Sequence, residues 1–180
     1  MMDSGVAYFR EEQRFRQWWL WVLLIGMAGL VLVLFGAGLY QQLVLGRPWG
    51  DHPMSDRALI ATALATWAFV AAIIWMLYSA VLITEVRSDG LYVRFFPFHF
   101  RFLRFPFERI RSYEARTYSP IGEFGGWGIR YGCKSKAYNV DGDRGLQLEF
   151  ADGRRLLIGS QRAGEFVRTL ASFQKRMPAK

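Results

Sequence analysis

Two long stretches of the chain are almost free of polar side chains. From Trp18 to Tyr40 there is no charged or amide residue, and from Ala58 to Ile83 the only polar members are Thr62, Thr66, Ser79 and the amphipathic Tyr78. A helix rises about 1.5 Å per residue and the hydrocarbon core of a bilayer is about 30 Å thick, so each run is long enough to span it. A helix in a soluble core is rarely this long and apolar on every face. The first run is too long for a signal peptide, and Glu11 and Glu12 stand where a basic leader would be, which predicts a retained helix. We expect transmembrane helices over about 18–45 and 57–84, preceded by a cytoplasmic tail, 1–17. Gly46, Pro48, Gly50 and Pro53 break helix in the short link, which makes the two spans an antiparallel hairpin.

Near Ile83 the period changes. Leu91, Val93 and Phe95 alternate with Tyr92 and Arg94, as in a half-buried strand. Phe98, Phe100 and Phe102 alternate with His99 and Arg101 and predict another, with Pro97 at the bend between them. Strand pattern returns at Ser112–Thr117 and at Leu146, Leu148 and Phe150; Asp152-Gly153 signals a hairpin turn, and Arg154–Ile158 the returning strand. A last helix is expected over about 161–176, capped by Ser160, with Phe166, Leu170 and Phe173 on one apolar face. The fold class is therefore an α+β membrane protein: a transmembrane helical hairpin, then a small antiparallel β domain over 85–180 covered by a C-terminal helix.

Charge adds an orientation. Of the net +8, the tail and the link contribute nothing, because their acids and bases cancel. Arg10, Arg14 and Arg16 precede the first helix and Arg87, Arg94, Arg101 and Arg104 follow the second, whereas the link carries only Arg47 and Arg57. The side richer in arginine is expected to be cytoplasmic, so both termini lie inside. Trp18, Trp19, Trp21, Tyr40 and Trp49 suit the interfacial belts.

Small residues recur along both spans: Gly26, Gly29 and Gly36 on the first, Ala61, Ala65, Ala68 and Ala72 on the second. Such stripes let membrane helices approach closely, either within the hairpin or between copies. Neither span contains Asp, Glu, Lys, Arg or His, which argues against an ion path or an intramembrane protease.

Composition removes several classes of chemistry. A lone Cys133 excludes an intrachain disulfide framework, and His52 and His99 are too few for a His-based metal centre. Gly132-Cys133-Lys134-Ser135 precedes no helical pattern and so does not read as a phosphate loop. Asp141 and Asp143 flank Gly142 in what reads as a turn. No cofactor is expected, and the chain is not expected to be an enzyme.

The stretch Tyr118–Gly145 is rich in glycine, as either a long irregular connection or strands broken by tight bends. Basic residues gather around it, and a tethered basic domain faces an anionic inner leaflet, where each nearby Lys or Arg contributes about 1 kcal/mol. Trp127, Arg130, Lys134, Lys136 and Arg144 are the candidate ligand-binding residues, for anionic lipid headgroups or a partner. Trp127 and Arg130 also suit a structural role, the ring plugging the end of the sheet and the guanidinium satisfying carbonyls. Membrane tethering and the lack of a nucleic-acid motif argue against DNA or RNA.

The segments Gly125-Gly126-Trp127-Gly128-Ile129-Arg130, Ala137-Tyr138-Asn139-Val140, Gly145-Leu146-Gln147-Leu148 and Ile158-Gly159-Ser160-Gln161 carry a resemblance. The chain resembles bacterial membrane proteins with two transmembrane helices and a C-terminal domain like the pleckstrin-homology (PH) fold. The resemblance implies a PH-like antiparallel β-barrel capped by the last helix, and a multi-pass place in the bacterial inner membrane. It implies no ligand. The expected role is a non-catalytic scaffold or adaptor that binds a protein partner, itself or anionic lipid headgroups. Alternatives are an accessory subunit of a transporter or cell-envelope complex, and an enzyme. Expected partners are the bilayer, anionic phospholipid, and a second copy or another membrane protein.

Overall fold

The computed structural model describes residues 6–132 and 135–174. It has mixed α+β structure in two units: the helical stretch Gln17–Tyr78, and a β-rich unit assembled from the chain on either side of it.

The helical unit holds α1 (Trp18–Leu39), extended by a π-helical turn at Tyr40–Val44, and α2 (Asp56–Ser79). Both helices are long and apolar enough to cross a membrane. Trp21, Leu24, Ala28, Val31, Phe35 and Gly38 form the more covered stripe of α1, and Leu59 and Ala63 are fully buried on α2. The link folds back onto the end of α1. Gln42 donates to the Met54 carbonyl and to Asp56, Gln41 donates to the Pro48 carbonyl, and the Trp49 indole lies against Gly38.

The second unit begins earlier than the sequence pattern suggested. The segment read as a tail contains a strand, β1 (Phe9–Arg14), paired antiparallel with β2 (Val81–Arg87). The inward residues of β1 are Phe9, Glu11 and Gln13, so its buried face is two-thirds polar and gives no hydrophobic alternation. The second helix also stops at Ser79 rather than near residue 84, and Val81–Ile83 belong to β2. Six of the seven β2 residues are buried, and a strand covered on both faces reads as continuous apolar sequence, like the helix before it.

β1, β2, β3 (Gly90–Phe96) and β4 (Leu103–Phe105) form one sheet in that order. The expected strand over Phe98–Phe102 is instead a turn and bend, from which Phe102 reaches the outer face of this sheet. There Phe102 lies under Arg87 and Arg94, at 5.2 and 4.8 Å from ring centre to guanidinium carbon. The buried carboxylate of Glu85 on this face pairs with Arg87 at 2.6 Å and Arg10 at 3.3 Å.

The other sheet contains β5 (Ile110–Thr117), β6 (Gly128–Tyr131), β7 (Ser135–Asn139), β8 (Arg144–Phe150) and β9 (Arg155–Gly159). Its spatial order is β5-β8-β9-β7-β6, antiparallel except for the parallel pair β7 and β9. A short helix, α3 (Pro120–Phe124), precedes β6, and α4 (Ala163–Gln174) closes the described chain.

The inner faces of the two sheets and α4 share one core, in which Leu82, Val93, Tyr138, Leu146, Ile158 and Phe166 are fully buried. Burying a side chain such as Phe166 contributes about 1.5–3 kcal/mol. α4 lies against β2, β5 and β8, and Phe166 stacks on Phe9 at 4.8 Å between ring centres. A polar seam joins β1 to the end of β9: Glu11 accepts from Ser160 Oγ at 2.5 Å and from the Gln161 amide at 2.9 Å, and Gln13 donates to the Gly159 carbonyl at 2.7 Å.

Candidate ligand-binding site

The glycine-rich stretch resolves into short elements separated by bends. Ser119 caps α3 by accepting from the Gly122 amide at 3.1 Å, and Glu123 reaches back to the Ser119 amide at 2.9 Å. Arg116 and that backbone amide hold the Glu123 carboxyl below the usual carboxylate range. Gly125 ends the helix at φ 69°, in the left-handed region that glycine enters without a Cβ penalty.

Trp127 and Arg130 come together after this turn, and backbone carbonyls take up both. The indole Nε1 donates to the Gly142 carbonyl at 3.1 Å, and Arg130 Nε donates to the Trp127 carbonyl at 2.9 Å. Lys136 is not with them. Arg130 is the register partner of Ala137, and adjacent strand residues face opposite sides, so Lys136 points to the other face of the sheet. Ala137 belongs to a small outer cluster with Tyr118, Phe124 and Leu157, whereas Lys136 lies over Tyr138 of the main core. Arg144 is exposed at the start of β8, and Lys134 lies outside the described residues, as does Cys133. The four described residues therefore do not form one patch.

The helical candidates are likewise apart from the hairpin contact. Ala61, Ala65, Ala68 and Ala72 are exposed, and a Cβ built on Gly26, Gly29 or Gly36 would meet nothing within 4 Å. Other residues are covered instead, Leu59 and Ala63 on α2 among them, and Trp21 meets Tyr78 edge-on at 6.4 Å.

Two cavities flank the second sheet. The outer one, of about 680 Å³, is polar. Its groups engage one another: Arg116 is taken up by Glu123 at 2.7 Å and by Gln147 at 3.1 Å, and Ser112 donates to Glu149. The other, of about 580 Å³, opens between β4 and the β7–β9 region. Leu103, Phe105, Phe150 and Leu156 give it apolar walls, and Arg104, Lys136, Arg154 and Arg155 give it four cations. Among the described residues no carboxylate lines it.

Lys136 is half-buried, its Nζ 4.7 Å from the Tyr138 ring centre and 4.9 Å from that of Tyr131. Burial opposes its charge, but the two tyrosine hydroxyls outweigh that and raise its pKa above the ordinary lysine value. His99 packs edge-on against Tyr138 at 5.6 Å, and its pKa is pushed down by burial and by the Lys136 charge.

Sequence reasoning singled out Lys136 but not the apolar walls as a set, because Leu103 and Phe105 of β4 stand far in sequence from Phe150 of β8 and Leu156 of β9. No group of three His, Cys, Asp or Glu among the described residues could hold a metal ion.

The motifs that carried the resemblance hold the sheet together. Gly145 and Gly159 are register partners in the β8–β9 ladder, and Asn139 Oδ1 accepts from the Gly128 amide at 2.9 Å. A family model described as a family of unknown function, DUF6141, matches residues 3–175, and the chain belongs to that family. No curated protein and no solved structure matches it.

Proposed function

We propose that this chain is a non-catalytic module held at a membrane surface by its two helices, a scaffold or adaptor with a PH-like β domain. The supporting fold features are two sheets packed around one core and a C-terminal helix that covers it. The observation that carries the reading is the place of the helices in the chain. They are inserted between β1 and β2, whose facing residues Arg14 and Val81 stand only four and two residues from the helix ends at Trp18 and Ser79. Such short joints leave the β domain no reach beyond the bilayer surface. A domain tethered this closely favours recognition at that surface, of a protein partner, another copy or an anionic lipid. The arginines beside those joints favour the cytoplasmic face of a bacterial inner membrane.

The test is hydrogen exchange of the full chain in nanodiscs, with neutral or anionic lipid and with one or two copies per disc. The reading predicts protection of part of the β domain that depends on lipid charge or on copy number. Identical exchange in all four samples contradicts recognition of lipid or self.

A second reading, an accessory subunit of a transporter or cell-envelope complex, is favoured by the open space beside Gly26, Gly29 and Gly36, which leaves one helix face for a larger partner. A defined homo-oligomer in detergent favours the scaffold, and a monomer favours the accessory role.

A further inference from the structure

We infer that the cleft between the two sheets is a binding site for a long-chain anion: a single hydrocarbon chain against Leu103, Phe105, Phe150 and Leu156, and its charged head on Lys136. This rests on the reading of the β domain as a recognition module and supplies its ligand.

The walls and the rim make opposite demands. Phe105 stacks on Phe150 at 5.6 Å, and these rings with Leu103 and Leu156 present apolar surface to an opening of about 580 Å³, a common size for a small-molecule site. A small inorganic anion would leave that surface wet. Among the described residues, the charged groups that line it are all cations. Two of them are already neutralised, Arg104 by Asp89 at 3.0 Å and Arg154 by Asp152 at 2.7 Å, and Arg155, the register partner of Glu149, is shared with the outer polar cavity. Lys136 has no carboxylate partner among the described residues; its neighbours are the rings and hydroxyls of Tyr131 and Tyr138, which bring no negative charge. A neutral hydrocarbon would leave this half-buried ammonium without a counter-charge.

One molecule meets both demands when it joins a flexible apolar chain to a single anionic head. A carboxylate, as in a fatty acid, and a phosphate monoester, as in a single-chain phospholipid, share this chemistry.

The experiment is label transfer from a palmitate carrying a photoreactive diazirine on its chain, added to the full-length protein in neutral nanodiscs, with crosslinked peptides mapped by mass spectrometry. Crosslinks are expected on the peptides bearing Leu103–Phe105 and Phe150–Leu156, and unlabelled palmitate or hexadecyl phosphate should compete where hexadecanol does not. The better competitor of the two anions identifies the head. Lys136→Met should cut the label about tenfold, the order of one charge-assisted contact, and Lys136→Arg should keep it. Leu103→Trp, which fills the cleft from the opposite wall, should remove it even where the lysine is intact. Crosslinks confined to the helices, equal competition by the alcohol, or label indifferent to both Lys136→Met and Leu103→Trp would overturn the site. Membrane topology is read separately, so the failure of the cleft and the failure of the membrane reading give different results.

Discussion

Arg14 and Val81 face each other across the β1–β2 ladder, although the whole helical segment lies between them in sequence. The first hairpin of the β domain thus has a pair of apolar helices in place of its turn. The β domain is discontinuous in sequence, and its first sheet draws strands from both sides of the helices.

That gives a direct test by deletion. A fragment over 85–180 lacks β1 and half of β2, exposes the core around Leu91 and Phe166, and should aggregate or remain unfolded. A chain with Asn-Gly in place of residues 16–79 keeps Phe15, Ala80 and the full ladder, and should be water-soluble with strand-rich circular dichroism and a cooperative melt. Asn-Gly is a favoured hairpin turn. Cooperative folding of the shorter fragment would show that β1 is dispensable.

The carboxylate of Glu11 holds β1 to the far end of the domain through Ser160 and the Gln161 amide. Removing one partner of a buried hydrogen bond costs about 1–3 kcal/mol. Ser160→Ala and Glu11→Ala should each lower stability by that order, and the double variant should cost less than their sum because they share the interaction. Denaturant titration of the helix-deleted chain measures this, and additive losses would show that the contact is not formed.

Two glycines separate close packing from backbone conformation. A Cβ on Gly145 would lie 2.5 Å from the Ile158 carbonyl oxygen, inside a ladder that cannot yield, so Gly145→Ala should abolish folding or cost several-fold more than Gly142→Ala. Gly142 has φ 73° with open space around it, and its substitution should cost about 1–2 kcal/mol through the left-handed conformation alone. Thermal melts of the two variants distinguish these causes.

The helices, the strands around Val93, Ser112–Thr117 and Leu148, and the last helix were legible from their apolar pattern, the antiparallel pairing from the short link, and the strand at Leu156 from the Asp152-Gly153 turn before it. β1 was not, because Glu11 and Gln13 are polar residues buried by long-range partners that no local pattern records. Phe98–Phe102 alternates like a strand, but that alternation serves a turn: Phe102 covers the outer face of the first sheet while Phe98 and Phe100 remain exposed. The basic cluster looked like one patch because sequence proximity hides the alternation that sends Arg130 and Lys136 to opposite faces. The inter-sheet cleft was invisible for the complementary reason, since its walls come from distant strands.

His99 gives a pH-dependent readout of the cleft. Burial and the Lys136 charge both disfavour its protonated form, so it should titrate below the ordinary 6.5. The unfolded chain then binds more protons than the folded one below about pH 6.5, and the His99 contribution to stability is lost as pH falls through that value toward the folded pKa. Lys136→Met should move the His99 titration upward, as should a bound anion that neutralises the lysine. Imidazole proton shifts of the helix-deleted chain report this, and an unchanged titration in Lys136→Met would place the lysine charge elsewhere.

The central claim is that the helical pair crosses a bilayer and leaves the β domain on one side and the link on the other. It is tested by replacing Cys133 with Ser and placing a single cysteine at Asp51 in the link or at Asp152 in the β8–β9 turn. Both variants are then treated, in intact bacterial cells, with a maleimide that cannot cross the inner membrane. The account predicts labelling at position 51 in intact cells, and at position 152 only after the membrane is opened. Labelling of both positions in intact cells, protection of both, or release of the protein by an alkaline carbonate wash would contradict it.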